Sequence, residues 1–254
     1  MEVPEASLAA PSAPPEERSL SPFARVIAIF TNPNRAWDGL ATRSQWWFPL
    51  IVMALLGVGL TAALYQRAVL PTITEQWEKM VEDGKMTQDQ LDKAEQRMSG
   101  PAGIAFSAIP QVIAWPAIML FLAAGVSFAV SFMVGTKLRF RHALEVVTWS
   151  SLIQLPEQVI GAVLAWSRET MRGIHLGLGI LVPQAEPPEK WQVGVASFLD
   201  AFGPFEIWAL AVVIIGAATL AGAPRKPVAW VIIGLFLSLR IVLAVVGAIF
   251  SPGG

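Results

Sequence analysis

Five apolar segments, each long enough to cross a lipid bilayer, constrain the fold of this chain more than any other feature. A membrane-spanning helix needs about 20 mostly apolar residues, because backbone polar groups find no water in the hydrocarbon core. Of the 254 residues, 54% are hydrophobic, which is typical of a membrane protein. The sequence therefore predicts an all-α membrane protein, a bundle of five transmembrane helices at about 46–66, 103–135, 143–166, 198–221 and 227–250.

The positions of Lys and Arg between these segments indicate the orientation in the membrane. Short connections rich in basic residues stay on the inner side. The tight connections at 136–142 and 222–226 hold Lys137, Arg139, Arg141, Arg225 and Lys226. The connections on the opposite side are long and contain acids as well, so we expect the N-terminus to lie inside.

The segment before the first span has the pattern of helices that lie in a membrane interface. Large apolar residues recur at i, i+3, i+4 and i+7 on one helix face, namely Phe23, Val26, Ile27 and Phe30. Asn32 and Pro33 are residue types favoured at the start of a second short helix. We expect residues 21–45 to form amphipathic interfacial helices, with Trp37 as an anchor and Arg25 and Arg35 towards headgroups or a protein partner. Packing of these helices on the inner end of the bundle is an equally good interpretation.

Two further segments are polar. Residues 1–20 are rich in Pro, Ala, Ser and Glu, which predicts a disordered tail. Residues 72–100 carry mixed charges at helical spacing and predict a soluble helical hairpin between the first two spans. Gly84 is expected to end its first helix, and Thr87 with Gln90 to form a capping box for its second.

No motif in the chain is typical of an enzyme. The sequence has no Cys and two His, and it contains neither an HExxH pair nor a P-loop. The formal net charge is −1, and the charges do not form the basic stripe that a nucleic acid requires. We expect no catalytic residue, no cofactor, no metal site and no nucleic-acid partner.

The ionisable residues inside the spans are the remaining candidates. Glu157, Glu206 and Arg240 lie about 14, 12 and 15 Å from the outer ends of their predicted spans, at the helical rise of ~1.5 Å per residue. Gln154 and Gln111 reach a similar depth. A charge alone at mid-bilayer costs at least ~2.5 kcal/mol, so we expect Arg240 to meet Glu157, Glu206 or both. The cluster either fixes the helix register as a buried ion pair or lines a polar cavity for an ion, a proton or a small solute.

Two motifs resemble a known family. The first is FARVIAIFTNPNRAWDGL, in which Phe-x-Asn-Pro-x-x-Ala-Trp corresponds to Phe30, Asn32, Pro33, Ala36 and Trp37. The second is FLDAFGPFEIWALAVVIIG, whose Asp-x-Phe and Ile-Trp elements correspond to Asp200, Phe202, Ile207 and Trp208. Together with five spans and a polar hairpin, they make the chain similar to the bacterial branch of the Yip family, named for the Ypt/Rab-interacting protein domain.

The resemblance implies a non-enzymatic, multi-pass protein of the bacterial cytoplasmic (inner) membrane, with a role in membrane organisation, trafficking or protein interaction. Eukaryotic relatives bind prenylated Rab GTPases. Their Asp-Leu-Tyr-Gly-Pro element precedes the first span, whereas DAFGPF lies in the fourth here, so GTPase binding is not transferred to this chain. The sequence specifies neither the protein partner nor the oligomeric state. The alternative function is a small transporter or channel that uses the charged cluster.

Overall fold

The computed structural model describes residues 19–183 and 189–250, and in those ranges the chain is helical with no strand. The predicted disordered tail lies outside the described residues, apart from Ser19 and Leu20. The α-helices are α1 (Pro22–Thr31), α2 (Trp47–Leu64), α3 (Leu70–Glu82), α4 (Gln88–Met98), α5 (Pro101–Ala129), α6 (Phe140–Ser151), α7 (Leu155–Arg168), α8 (Lys190–Asp200), α9 (Pro204–Ala221) and α10 (Arg225–Phe250).

Four helical stretches among the described residues are long and apolar enough to cross a membrane. They are Trp47–Glu82, Pro101–Val134, Pro204–Ala221 and Arg225–Phe250. Many large apolar side chains on these helices face outwards, including Phe106, Phe121, Phe132 and Trp230. Outward apolar surface of this extent is stable only against lipid or another protein. The chain is therefore an all-helical, multi-pass membrane protein.

The third predicted span, 143–166, is not one continuous helix. The chain forms α6, a 3₁₀ turn at Leu152–Gln154, and then α7. Pro156 explains the break, since proline has no backbone N–H to donate and is tolerated in the first turn of a new helix. Neither α6 nor α7 alone is long enough to count as a span, so the predicted number of five is not confirmed.

The first span continues beyond its predicted end at 66. A π-helical turn at Tyr65–Val69 joins α2 to α3 in one helical stretch. Pro71 cannot donate a backbone hydrogen bond to the preceding turn, and a π-helical turn is a common way to accommodate such a gap. Gly84, with a φ of +68°, follows α3, and the capping box predicted for Thr87 and Gln90 is present at the start of α4.

The fourth span begins later than predicted. Residues 198–200 belong to α8, and α9 starts at Pro204 after a short connection. Gly203 is the N-cap and Pro204 the first residue of α9, an arrangement in which proline's missing donor costs nothing. This shift places Glu206 in the first turn of α9.

The short helix predicted after Asn32 is also corrected. Asn32 ends α1 instead of starting a helix, since its backbone N–H bonds to the carbonyl of Ala28. The following residues make only a single 3₁₀ turn, Arg35–Trp37.

Helix α6 is the centre of the bundle. Every residue from 142 to 151 is buried, and α6 contacts α1, α2, α5 and α9. α10 packs on α5, α8 and α9. The largest buried side chain of α6, Trp149, stacks on Phe48 of α2 with ring centroids 5.6 Å apart. Helix α6 is thus enclosed on all sides. Its C-terminal residues Ser150 and Ser151 line an internal cavity.

Candidate functional site

A cavity of about 920 Å³ lies inside the bundle, walled by α2, α5, the α6–α7 segment, α9 and α10. All five residues of the predicted polar cluster line it: Gln111, Gln154, Glu157, Glu206 and Arg240. Most of the other lining residues are apolar. The residues that the sequence places at one depth therefore share one cavity.

The centre of the cluster is an ion pair between α10 and α9. Arg240 Nη2 lies 2.8 Å from Glu206 Oε1, and Gln154 Nε2 donates to the same oxygen at 3.3 Å. The Arg240 guanidinium also lies 5.3 Å from the ring centroid of Phe236. Of the two acids expected to meet Arg240, the structure pairs Glu206 with it.

The broken helices explain the positions of both carboxylates. Glu157 lies in the first turn of α7, and Glu206 in the first turn of α9. Backbone N–H groups at a helix N-terminus carry partial positive charge, which favours an acid there. The start of α9 thus favours the negative charge of Glu206, whereas α7 continues directly from the 3₁₀ turn and places Glu157 at the cavity.

Three buried polar atoms of the cavity wall have no hydrogen-bond partner among the described residues. They are Glu157 Oε2, Ser150 Oγ and Trp115 Nε1. Neither Ser150 nor Trp115 belongs to the polar cluster predicted from the sequence. Their spacing in the sequence could have indicated them. Ser150 lies four residues before Gln154, and Trp115 lies four residues after Gln111, so each shares a helix face with a predicted cluster residue.

Gln111 approaches the backbone of α2. A side-chain carbon added to Gly57 would lie 3.1 Å from Gln111 Oε1. Glycine at this position lets α5 and α2 come close together beside the cavity, as small residues commonly do between membrane helices.

A second buried polar cluster joins α1, the segment after it, and α6. The Glu145 carboxylate is fully buried and accepts hydrogen bonds from Ser44 Oγ at 2.7 Å, the Gln45 backbone N–H at 2.8 Å and Trp149 Nε1 at 3.2 Å. Gln45 connects this acid to Arg25, whose Nε donates to Gln45 Oε1 at 3.2 Å.

Arg25 is not on a surface, contrary to the prediction that it faces headgroups or a partner. It is fully buried and donates to the backbone carbonyls of Ala36, Leu20 and Asp38, the last at 3.0 Å. Burial lowers the pKa of Arg25 to about 10, against the opposing effect of the Glu145 and Asp38 charges. The guanidinium therefore remains protonated at neutral pH and joins α1 to the bundle.

The other two predicted surface residues differ from each other. Trp37 is also buried, and its ring fills the space beside Gly216 of α9, where an added side-chain carbon would lie 2.5 Å from the ring. Arg35 is exposed, as the surface interpretation expects. The apolar side chains Phe23 and Ile27 of α1 are 75% and 64% exposed, so this helix buries Arg25 and turns its apolar face outwards.

Basic side chains surround this end of the molecule. The connections next to α1 and the first turns of α6 and α10 carry seven Lys and Arg residues that are exposed or half-buried: Arg35, Arg43, Lys137, Arg139, Arg141, Arg225 and Lys226. We refer to these seven residues as the basic end. Arg225 donates to Asn34 Oδ1 at 2.6 Å, and Arg141 donates to the carbonyl of Ala41. These two bonds bring the start of α6, the start of α10 and the segment after α1 together.

The opposite end of the bundle is closed by the connection after α7. Arg67 on the π-helical turn pairs with Glu169 at 2.9 Å, and His175 Nδ1 lies 2.7 Å from Asp200 Oδ2. Gly177 and Gly179 pack closely on Asp200, one of the residues of the second sequence motif. Within residues 19–183 and 189–250, no group of three or more His, Asp or Glu side chains is arranged to hold a metal ion.

The protein is thus a helical membrane protein with a polar cluster in a cavity of its bundle. The family model of the Yip1 domain matches residues 27–247, which is most of the chain. The protein therefore belongs to the Yip1 domain family. No curated protein and no solved structure shows significant similarity to the chain. The family match does not separate the branches of the family, so the bacterial branch remains a prediction.

Proposed function

We propose that the chain is a non-enzymatic membrane protein of the Yip type that organises membrane or binds a protein partner through its basic end. The observation that carries this proposal is the coincidence of the seven basic side chains with the outward apolar face of α1. Among the described residues, Asp38 is the one exposed acid on the connections and first helical turns that carry these seven residues. Such a surface attracts anionic headgroups and acidic protein segments.

The same surface supports an N-terminus inside the cell, in the cytoplasmic membrane of a bacterium. Basic residues of short connections are retained on the inner side. All seven belong to the end of the bundle at which α1 lies, whereas the opposite end mixes both signs, as in the Arg67–Glu169 and Arg172–Glu75 pairs.

The contacts at the two ends favour five crossings, with α6 and α7 forming one interrupted crossing. The start of α6 and the end of α9 lie at the same end, because Arg141 reaches Ala41 and Arg225 reaches Asn34. The end of α7 lies at the other end, where Arg67 Nε donates to the Trp166 carbonyl at 3.1 Å. Between the start of α6 and the end of α9 the chain must therefore cross the membrane an even number of times. Helix α9 is one crossing, and α6–α7 is the segment that can form the other.

A photo-reactive amino acid at position 35, in intact membranes, tests the interaction at the basic end. Position 79 on α3 is the control, since Lys79 is an exposed basic residue at the opposite end. We expect protein adducts from position 35 that are absent from position 79 and that decrease when Arg139 and Arg225 are changed to Ala. Adducts with lipid alone would support membrane organisation without a partner. Equal protein adducts from both positions would contradict a specific role for the basic end.

The cavity favours a second candidate function, a small transporter or channel. Its charged residues lie inside an apolar bundle, where ionisable groups commonly serve a solute pathway. Reconstituted vesicles test this function directly. Solute or proton flux that depends on Glu157, and is lost in Glu157→Gln at unchanged thermal stability, would support transport; absence of any Glu157-dependent flux would exclude it.

A further inference from the structure

The ionisable residues that line the cavity leave one acid without a cation. Among the described residues, these are Glu157, Glu206 and Arg240, and the Arg240–Glu206 ion pair uses the one base. Glu157 Oε2 is buried and has no hydrogen-bond partner among the described residues. A buried carboxylate oxygen is costly without a donor or a positive charge beside it. The cavity therefore has an unmatched acceptor.

Two further polar atoms of the wall add hydrogen-bonding capacity. Ser150 is 1% exposed, and its hydroxyl has no hydrogen-bond partner among the described residues. The indole N–H of Trp115 is a buried atom that also has no partner there. A hydroxyl can donate or accept, whereas an indole N–H can only donate. Together with Glu157, these groups suit a small polar head that carries several N–H donors and at least one acceptor.

The rest of the cavity is apolar, and its wall reaches the outer surface of the bundle. Ile118 and Phe121 of α5 and Leu243 of α10 line it, and their side chains are 47%, 69% and 48% exposed. This side of the molecule faces lipid, because α5 and α10 are both membrane-spanning by length and composition. A ligand can thus enter sideways from the bilayer. An apolar ligand body matches the lining better than a hydrated metal ion, which needs several oxygen ligands.

We propose that the cavity binds an amphipathic molecule with a primary ammonium head, which enters from the bilayer and places the ammonium against Glu157. The ammonium donates to the unmatched carboxylate oxygen and neutralises its charge. Ser150 and Trp115 contact the remaining polar atoms of the head. Two sources supply this chemistry, an amine-headed phospholipid of the bilayer and a free long-chain amine. The proposal is independent of the interaction at the basic end, and it requires one opening, not the two that transport needs.

Thermal stability of the purified, delipidated full-length protein tests the proposal. The probes are n-decylamine, n-decanol and decyltrimethylammonium, at matched concentrations in the same detergent. The three share a chain of equal length and differ in their heads. We expect n-decylamine to raise the melting temperature most, since decanol has no charge and the trimethylated head has no N–H to donate. Native mass spectrometry compares the binding of phosphatidylethanolamine with that of phosphatidylglycerol. Preferential binding of phosphatidylethanolamine would identify an amine-headed phospholipid, rather than a free long-chain amine, as the source.

Substitutions in the cavity wall test where the ammonium head of the ligand binds. Glu157→Gln keeps the size of the side chain but removes its charge, and we expect binding of the amine-headed probe to be about tenfold weaker. Glu78→Gln, an exposed acid on α3, is the matched control and should bind as the wild type does. Ser150→Ala provides a second test if Glu157→Gln folds poorly, with about threefold weaker binding expected.

The outcomes are distinct. Preferential binding of phosphatidylethanolamine or of n-decylamine, reduced in Glu157→Gln or Ser150→Ala, supports the proposal and identifies the source. Equal effects of the three decyl probes together with no phosphatidylethanolamine preference would overturn it. Amine binding that neither cavity variant reduces would overturn it as well.

Discussion

Arg25 and Arg240 are both arginines held away from bulk water, and the structure stabilises them in different ways. Arg25 is surrounded by backbone carbonyls and the Gln45 side chain, with Glu145 nearby but bridged through Gln45. Arg240 instead makes a direct ion pair with Glu206 inside the bundle. The first arrangement fixes a helix to the bundle, and the second joins two membrane helices beside a cavity.

The pairing at Arg240 predicts a specific coupling in thermal stability. Glu206→Gln and Arg240→Leu each remove one partner and leave the other charge poorly matched, so each should destabilise the folded protein by about 1–3 kcal/mol. The double variant should recover much of this loss, with a coupling of about 1 kcal/mol or more. Glu157→Gln is the control and should cost little, because Glu157 does not pair with Arg240. Melting of the four variants in detergent measures this; additive losses in the double variant would refute the pairing.

The close packing of Trp37 against α9 predicts a strong effect at a single glycine. Gly216→Ala should destabilise the protein by about 1–3 kcal/mol, because the added methyl group meets the Trp37 ring. Gly234→Ala on α10 is the control, since nothing lies within 4 Å of the corresponding position there. It should be neutral or stabilising, as alanine favours helix more than glycine does. Equal melting temperatures for the two variants would contradict the packing described here.

The attachment of α1 rests on side chains that the sequence pattern misassigned. Periodicity correctly predicted a helix containing Phe23 and Ile27, but it could not show that Arg25 on the other face would find buried acceptors. Those acceptors are backbone carbonyls, which any sequence supplies. Their positions depend on the turn at Arg35–Trp37, and this turn is set by tertiary packing.

Arg25→Leu should therefore release α1 without unfolding the bundle. We expect faster amide hydrogen exchange in residues 22–31 and a smaller change in α6, because the guanidinium donates to Gln45 and to carbonyls outside α6. Its contact with α6 is the Trp149 ring, whose centroid lies 5.5 Å away. Arg35→Leu, an exposed basic residue on the same segment, is the matched control and should leave exchange unchanged. Uniform protection of α1 in both variants would show that Arg25 does not hold the helix.

The locations of four membrane segments were predictable from the sequence, whereas the interruption of the remaining predicted span was not. Long apolar runs identified the helices around 47–64, 101–129, 204–221 and 225–250, because the length requirement of the bilayer is severe. The interruption at Leu152–Gln154 was harder to predict, although Pro156 was visible in the sequence. Proline in a membrane helix causes a kink in some contexts and a break in others, and the neighbouring helices decide between them.

The polar cluster was predicted from the depths of its residues, and the five residues line one cavity although α9 starts at Pro204, later than those depths assumed. Depth could not choose between Glu157 and Glu206 as the partner of Arg240, since it says nothing about the direction in which each helix face points. It also could not find Ser150 and Trp115, whose importance depends on having no partner in the folded chain.

The proposed crossing by α6 and α7 determines the position of Glu157, which lies in the first turn of α7 and lines the cavity. The chain has no native Cys, so single cysteines can be labelled without background. The most direct measurement is therefore labelling of Lys137→Cys and Lys190→Cys by a membrane-impermeant maleimide, in vesicles of both orientations. Arg35→Cys and Lys85→Cys provide the references for the two sides. We predict that position 137 labels with position 35 and position 190 with position 85; labelling of 137 and 190 from the same side would contradict a crossing by α6 and α7.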